Sequence, residues 1–88
     1  MQDKKILRGD VMTLDRLPIG ESAVITVVGG QGGLRRRLLD MGLTPYTKVT
    51  VRKAAPMGDP IEITLRGYER TLRIDDAKKI EIEEMKDL

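Results

Sequence analysis

Short apolar segments bounded by glycine and proline occupy most of this chain, and their period constrains the fold more than any other feature. Ile61, Ile63 and Leu65 alternate with polar residues, as expected of a strand with one buried face. The same reasoning predicts strands over 22–28, 47–52, 60–66 and 69–74, and a final strand that begins at Ile80. Segment 22–28 is almost continuously apolar, which predicts a strand covered on both faces.

One helix interrupts this pattern after the first strand. In segment 33–42, Leu34, Leu38 and Met41 repeat at helical spacing and form one apolar stripe. Gly42 is the residue type that most often follows a helix, because it enters the left-handed conformation without steric cost. The sequence therefore predicts a short helix that ends at Gly42.

These elements predict a mostly β fold, a small and partly open barrel of about five strands with one short α-helix after the first strand. Closing a sheet in this way protects edge strands that would otherwise invite aggregation. The 88 residues suffice for one domain with one modest core. Because the chain has no Phe or Trp and only Tyr46 and Tyr68, that core must be aliphatic.

Glycine and acidic residues predict two further local structures. A two-residue loop at Gly67-Tyr68, with glycine first, suits a type II′ hairpin between neighbouring strands. Segment 75–79 is predicted to form a single helical turn with Asp75 as its N-cap.

The residue inventory argues against catalysis. The chain has no His and no Cys, which removes the commonest general base, the best nucleophile and the preferred ligands of transition metals. The adjacent acids Asp75-Asp76 and Glu83-Glu84 are interpreted as a helix cap and a solvated tail. The glycine-rich segment 29–33 has the spacing of neither a Walker loop nor a dinucleotide fingerprint. We therefore expect a binding module and not an enzyme.

Composition also indicates where the protein works. The absence of Cys favours a reducing compartment, and we find neither a leader-like start nor a stretch near the ~20 apolar residues of a membrane span. The expected location is cytoplasmic, with any membrane contact made through a partner. A net charge of +2, from 16 Lys and Arg against 14 Asp and Glu, is too small to indicate nucleic-acid binding.

Three motifs, in this order, resemble the FeoA family: LRRRLLDMGLTP at 34–45, APMGDPI at 55–61 and LRIDDAKKIEI at 72–82. The resemblance runs from about Leu14 to Glu83, so residues 1–13 are expected to be an N-terminal extension, either an extra strand or a frayed tail, and 14–88 the domain. It implies a small SH3-like β-barrel that serves ferrous iron uptake. The implied partner is the membrane transporter FeoB, whose cytoplasmic part is a GTPase.

The chain departs from this family at the turn after the helix. Where the family usually has Pro-Gly, this sequence has Pro45-Tyr46. Glycine permits a type II turn, which needs a positive φ, whereas tyrosine favours type I. A type I turn is therefore expected here.

A partner-binding surface is predicted on the helix, at its end and on the stiff loop that carries Pro56 and Pro60. Arg and Tyr are favoured interface anchors. The predicted surface consists of Arg36, Arg37, Leu39, Tyr46, Pro56, Met57, Gly58 and Asp59.

Two alternatives stay open beside transporter binding. The first is binding or sensing of ferrous or another divalent metal ion, as in the similar barrel of iron-dependent repressors, although oxygen ligands alone favour only a weak site. The second is a small nucleic-acid-binding barrel, against which the scarcity of aromatic residues argues. Self-association of the chain, and activation, inhibition or tethering of the transporter, are each compatible with this sequence.

Overall fold

Alternating aliphatic residues form six antiparallel strands in the computed structural model, which describes residues 12–85. The strands are β1 (Met12–Thr13), β2 (Ser22–Val28), β3 (Lys48–Ala54), β4 (Ile61–Leu65), β5 (Tyr68–Leu72) and β6 (Ile80–Glu84). A 3-10 turn covers Leu14–Arg16, helix α1 covers Gly32–Asp40, and helix α2 covers Ile74–Ala77. The mostly β prediction is confirmed, with every predicted strand present within one or two residues of its expected ends.

The strands form one sheet in the order β1-β6-β2-β3-β4-β5. The additional strand, β1, pairs Met12 with Ile82 and Thr13 with Glu81. The sheet thus includes the last two residues of the expected N-terminal extension, while 1–11 lie outside the described range. Two register irregularities, in β2 and β3, bend the sheet around its core because bulges increase local twist.

The core is aliphatic, as composition requires. Every buried hydrophobic residue in 12–85 is Leu, Ile, Val or Ala, while Met12 and Met41 pack against this core from half-buried positions. The largest fully buried side chains come from the 3-10 turn, α1, the segment after it and the strands. They are Leu14, Ile25, Leu38, Leu43, Ile63, Leu72, Ile80 and Val49.

The expectation that β2 is covered on both faces is wrong. Ala23 and Ile25 are buried, but Val27 is 46% exposed and Val28 is buried instead. The register with β6 shifts between Ile25 and Val27, so the bulge moves the inward position by one residue. The strand is apolar along most of its length because the inward-facing positions shift by one residue at the bulge, and not because both of its faces are buried.

Helix α1 begins one residue earlier than predicted and stops as predicted at glycine. Gly42 has φ +100°, its N–H donates to the Leu39 carbonyl at 2.9 Å, and the Leu43 N–H donates to the Leu38 carbonyl at 3.1 Å. These two bonds form a Schellman motif. Leu38 and Leu43 are both fully buried, so the motif also supplies the apolar contact that accompanies such helix ends.

The hairpin between β4 and β5 differs from its prediction by one residue. Leu65 pairs with Tyr68, so the loop is Arg66-Gly67, with φ of +53° and +82°. Two consecutive positive φ values define a type I′ turn, whose twist matches that of the flanking strands. Tyr68 is therefore the first residue of β5 and not part of the loop.

The turn at Pro45-Tyr46 is also different from the expected type I. The Thr47 N–H donates to the Thr44 carbonyl at 3.2 Å, and Tyr46 has φ +71°, as type II requires. The Tyr46 N–H donates to the Ile25 carbonyl at 2.7 Å, and the Ile25 N–H donates to the Thr47 carbonyl at 2.9 Å. These bonds to β2 hold the tyrosine in a conformation that glycine normally occupies.

Replacement of Tyr46 by glycine is expected to raise the free energy of unfolding by up to about 1 kcal/mol. Relief of the left-handed backbone, worth roughly 1–2 kcal/mol, exceeds the extra unfolded-state entropy of glycine, about 0.5–1 kcal/mol. The side chain is 87% exposed, so its loss removes little packing. Urea denaturation measures the change, and Tyr46→Ala is the control because alanine keeps the strain. An increase in the free energy of unfolding for Tyr46→Ala as large as that for Tyr46→Gly would contradict this interpretation.

Candidate functional site

The structure divides the predicted partner-binding residues between two places. Tyr46 precedes β3, whereas 56–59 follow it, and the strand's seven residues separate them by about 20 Å. We call the first place the β3 groove, because Tyr46, Lys48 and Arg66 line it. The second is the helical patch, which consists of Arg36, Arg37, Pro56, Met57, Gly58 and Asp59.

Arg37 and Asp59, both in the helical patch, each bond to a residue of helix α2. Arg37 Nη2 lies 2.8 Å from Asp76 Oδ2, in an ion pair whose side chains are 59% and 18% exposed. At the start of α2, the Ile74 N–H donates to Asp59 Oδ1 at 3.0 Å. The predicted cap, Asp75, lies inside the first turn, and the N-cap residue Arg73 makes no side-chain cap bond. Asp59 supplies this acceptor from the loop before β4.

The three consecutive arginines of α1 have different surroundings. Arg35 Nε donates to the Val28 carbonyl at 3.2 Å, and Arg37 is paired with Asp76. The Arg36 side chain is exposed and makes no hydrogen bond or ion pair with any residue in 12–85. Of the three, Arg36 is therefore the cation most available to a partner.

Leu39 differs from the other predicted surface residues. It is half-buried and packs against the hydrophobic core, beside Leu34 and Met41. Leu38, the neighbouring residue, is fully buried. Leu39 therefore contributes to packing of α1 on the sheet as well as to its surface.

The loop between β3 and β4 presents an apolar tip. Its base is closed by the Ala55 N–H, which donates to the Pro60 carbonyl at 2.9 Å, and by the Gly58 N–H, which donates to the Ala55 carbonyl at 2.7 Å. Met57 stands at this tip with 92% of its surface exposed. A flexible, polarizable methionine on a short closed loop is suited to contact with another protein.

The β3 groove has a volume of about 500 Å³ and runs beside the turns at Tyr46 and Arg66. Arg66 Nη2 donates to the hydroxyls of Thr44 and Thr47, each at 3.0 Å, and these hydroxyls lie 2.7 Å apart. Lys48 also lines the groove. Sequence reasoning identified Tyr46 here but missed Lys48 and Arg66. The signal that points to Arg66 is its place before Gly67 in a two-residue turn.

Within residues 12–85, no group of three or more His, Cys, Asp or Glu side chains is arranged to hold a metal ion. None of the helices in that range has the length and apolar character needed to cross a membrane.

The antiparallel sheet, with α1 between β2 and β3 and α2 before β6, places the chain in the class of small SH3-like barrels. Residues 12–84 match the FeoA domain family. The chain thus belongs to the FeoA family, which is linked to ferrous iron transport.

Known relatives agree in sequence and in structure. An Fe(2+) transport protein A/Fe(2+) transporter FeoB fusion protein from Porphyromonas gingivalis is 42% identical over 72 residues, 82% of this chain but only 8% of that protein. The FeoA-like protein from Clostridium acetobutylicum has a TM-score of 0.82 at 31% identity, covering 92% of this chain and 94% of that one. The zinc complex of Stenotrophomonas maltophilia FeoA, a prokaryotic SH3 domain protein, has a TM-score of 0.73 at 29% identity, covering 82% and 89%.

Proposed function

We propose that this chain is a cytoplasmic, non-enzymatic accessory of ferrous iron uptake that binds the GTPase region of a FeoB-type transporter and modulates its assembly or activity. The observation that carries the proposal is the P. gingivalis relative, in which Fe(2+) transport protein A and FeoB form one fusion protein. Fusion holds two domains at a high effective concentration. Where the two proteins are separate chains, a binding surface must replace that linkage.

The helical patch is the surface we assign to the transporter. It combines an exposed apolar side chain, Met57, with the cation of Arg36, which has no ion pair within residues 12–85. Two of its side chains are tied to α2, by the Arg37–Asp76 ion pair and by the hydrogen bond from the Ile74 N–H to the Asp59 carboxylate. Binding to a surface that is already ordered avoids part of the entropy lost on association.

The direct test uses the purified chain and the cytoplasmic GTPase domain of the FeoB-type transporter from the same organism. Binding is measured by calorimetry, and GTP hydrolysis is measured with and without the chain. We expect a saturable complex and a changed rate of hydrolysis or a changed oligomeric state of the transporter. No complex at the highest soluble concentrations would overturn the proposal.

Arg36→Glu is expected to weaken this complex by about tenfold, which corresponds to ~1.4 kcal/mol. The unfolding midpoint should stay within error, because the Arg36 side chain has no polar contact inside residues 12–85. Arg37 is a poor choice for the same experiment because its replacement also breaks the pair with Asp76. Arg52→Glu makes the same charge change at an exposed position of β3 and should leave the affinity unchanged. Equal losses for both variants would indicate long-range electrostatics and not a contact at the helical patch.

A second candidate, binding of a divalent metal ion, is favoured by the zinc complex of the S. maltophilia protein. The chain offers only oxygen ligands, since it contains no His and no Cys. No three carboxylates of residues 12–85 are arranged to hold a metal ion, so a site formed by these residues would draw carboxylates from more than one copy of the chain. Anaerobic calorimetric titration of the purified chain with Fe²⁺ separates this candidate from transporter binding.

A further inference from the structure

The β3 groove carries positive charge and has no carboxylate among the residues that line it. Its cations are Lys48, near the start of β3, and Arg66, in the turn that follows β4. Both residues are exposed. Because Val49 pairs with Leu65 in the antiparallel ladder, Lys48 and Arg66 lie at the same end of the groove, and the paired residues Thr50 and Thr64 continue its floor from that end. The groove is thus a polar, cationic surface laid along two neighbouring strands.

Backbone strain is concentrated at the same place. Within residues 12–85, Tyr46 and Arg66 are the non-glycine residues with positive φ, and both line the β3 groove. Such a conformation costs of order 1–3 kcal/mol and persists only where the surrounding structure maintains it, often at functional sites. Glycine would adopt either conformation without strain. The presence of Tyr46 and Arg66 at these positions therefore indicates a role for their side chains.

The Arg66 guanidinium is held in an orientation that suits ligand binding. Its Nη2 donates to the hydroxyls of Thr44 and Thr47, and Thr47 is only 7% exposed. These bonds fix the guanidinium without neutralising it, because hydroxyls carry no charge. The hydrogens on Nε and Nη1 have no acceptor within residues 12–85. A pre-oriented guanidinium of this kind suits an anionic oxygen of a ligand, since charge-assisted hydrogen bonds are the stronger ones.

We propose that the β3 groove binds a carboxylate-bearing segment of a protein partner, with Arg66 and Lys48 holding Asp or Glu side chains and Tyr46 packing against the segment. Charge complementarity identifies the occupant, because cations and hydroxyls line the groove without any acid. The inference concerns the chemistry of the segment and does not depend on the partner being the transporter.

Other anions fit the groove less well. Single-stranded nucleic acid needs several aromatic side chains for base stacking, whereas Tyr46 alone lines this surface. Phosphate sites commonly use a cluster of backbone N–H groups at a helix start or a nest. The β3 groove instead presents side-chain donors, with Lys48 and Arg66 together at one end and threonine hydroxyls beyond them, an arrangement that suits carboxylates of a peptide.

The test follows amide shifts in the ¹⁵N–¹H spectrum of the full chain during titration with a hexaglutamate peptide. We expect saturable shifts confined to 46–50 and 64–67, weakened by added salt because exposed charges are screened. Hexaglutamine is the neutral control and should produce none. Shifts that are absent, or that centre on the helical patch, would overturn the proposal. So would inorganic phosphate or a short RNA that shifts the groove amides at lower concentration than hexaglutamate.

Two variants within the groove, with one control outside it, test whether hexaglutamate binds at this site. Lys48→Glu is expected to weaken hexaglutamate binding by about three- to tenfold, the range for loss of an exposed charge pair and its replacement by repulsion. Lys78→Glu makes the same change at an exposed site outside the groove and should alter the affinity less than twofold, within the error of such pairs. Arg66→Gln should act like Lys48→Glu if its spectrum remains folded. Equal affinities of the parent and Lys48→Glu would contradict the inference, whatever the behaviour of Arg66→Gln.

Discussion

Gly42→Ala is expected to lower the free energy of unfolding by about 2–5 kcal/mol, the sum of a left-handed backbone penalty and local overpacking. Gly42 has φ +100°, and a Cβ placed there would lie 2.7 Å from Leu65 Cδ1. Leu65 is only 3% exposed, so its side chain has little room to move away. The substitution therefore disturbs both the end of α1 and the core beneath it.

Gly33→Ala is the matched control for this result. Gly33 lies inside α1, its φ is not positive, and an added Cβ would meet no atom within 4 Å. Alanine in a helix is more stable than glycine by about 1 kcal/mol, so this variant should be neutral or stabilised. Urea denaturation followed by circular dichroism measures both. If the two variants lost stability equally, the Schellman motif would not determine where α1 ends.

Leu38→Ala is expected to cost about 2–5 kcal/mol, as for other fully buried leucines. Leu38 is the single buried residue of α1, so it is the main anchor of the helix on the sheet. Its carbonyl also accepts the Leu43 N–H in the Schellman motif. For an 88-residue domain with a total stability of roughly 4–13 kcal/mol, a loss of this size populates the unfolded state at moderate temperature.

Leu39→Ala provides the comparison within the same turn of helix. Leu39 is half-buried, so its truncation should cost less than half as much as that of Leu38. Thermal unfolding and transporter binding are both measured, with binding compared at equal folded fraction. A loss of affinity by Leu39→Ala without loss of stability would place Leu39 in the interface. Equal destabilisation by the two substitutions would contradict the packing described for α1.

Much of the fold was predictable because strands and helices are local. The alternation of Ile61, Ile63 and Leu65 and the helical spacing of Leu34, Leu38 and Met41 identify β4 and α1 from sequence neighbours alone. The phase change in β2 was not predictable in this way. Only its register with β6 shows that Val28 and not Val27 faces the core.

The predictions for the two turns were wrong for a related reason. Residue preferences favoured a type I turn at Tyr46 and placed glycine first in the β4–β5 loop. Both positions adopt positive φ because neighbouring strands demand it: Ile25 bonds to each side of the first turn, and the Leu65–Tyr68 pair closes the second. Tertiary hydrogen bonds outweighed an intrinsic preference of roughly 1–2 kcal/mol per residue.

In the candidate site, too, some properties were predictable from residue type and others depended on the fold. Composition and motif identified the residue types of a binding surface, including Arg36, Tyr46 and Met57, because exposed arginine, tyrosine and methionine suit protein contacts wherever they lie. Which of them lie together depends on the path of the chain. Strand β3 separates Tyr46 from the Met57 loop, while α2 unites Arg37 with Asp59 across positions far apart in sequence.

The sequence by itself therefore determined the period of each element, the aliphatic core, the end of α1 at Gly42 and membership of the FeoA family. These properties depend on residue type and on neighbours within one or two turns. The tertiary structure alone decided the added strand β1, the strained turns and the pairing of Lys48 with Arg66 in one groove. Those properties arise from the order and register of six strands, which set distances between residues that no local pattern connects.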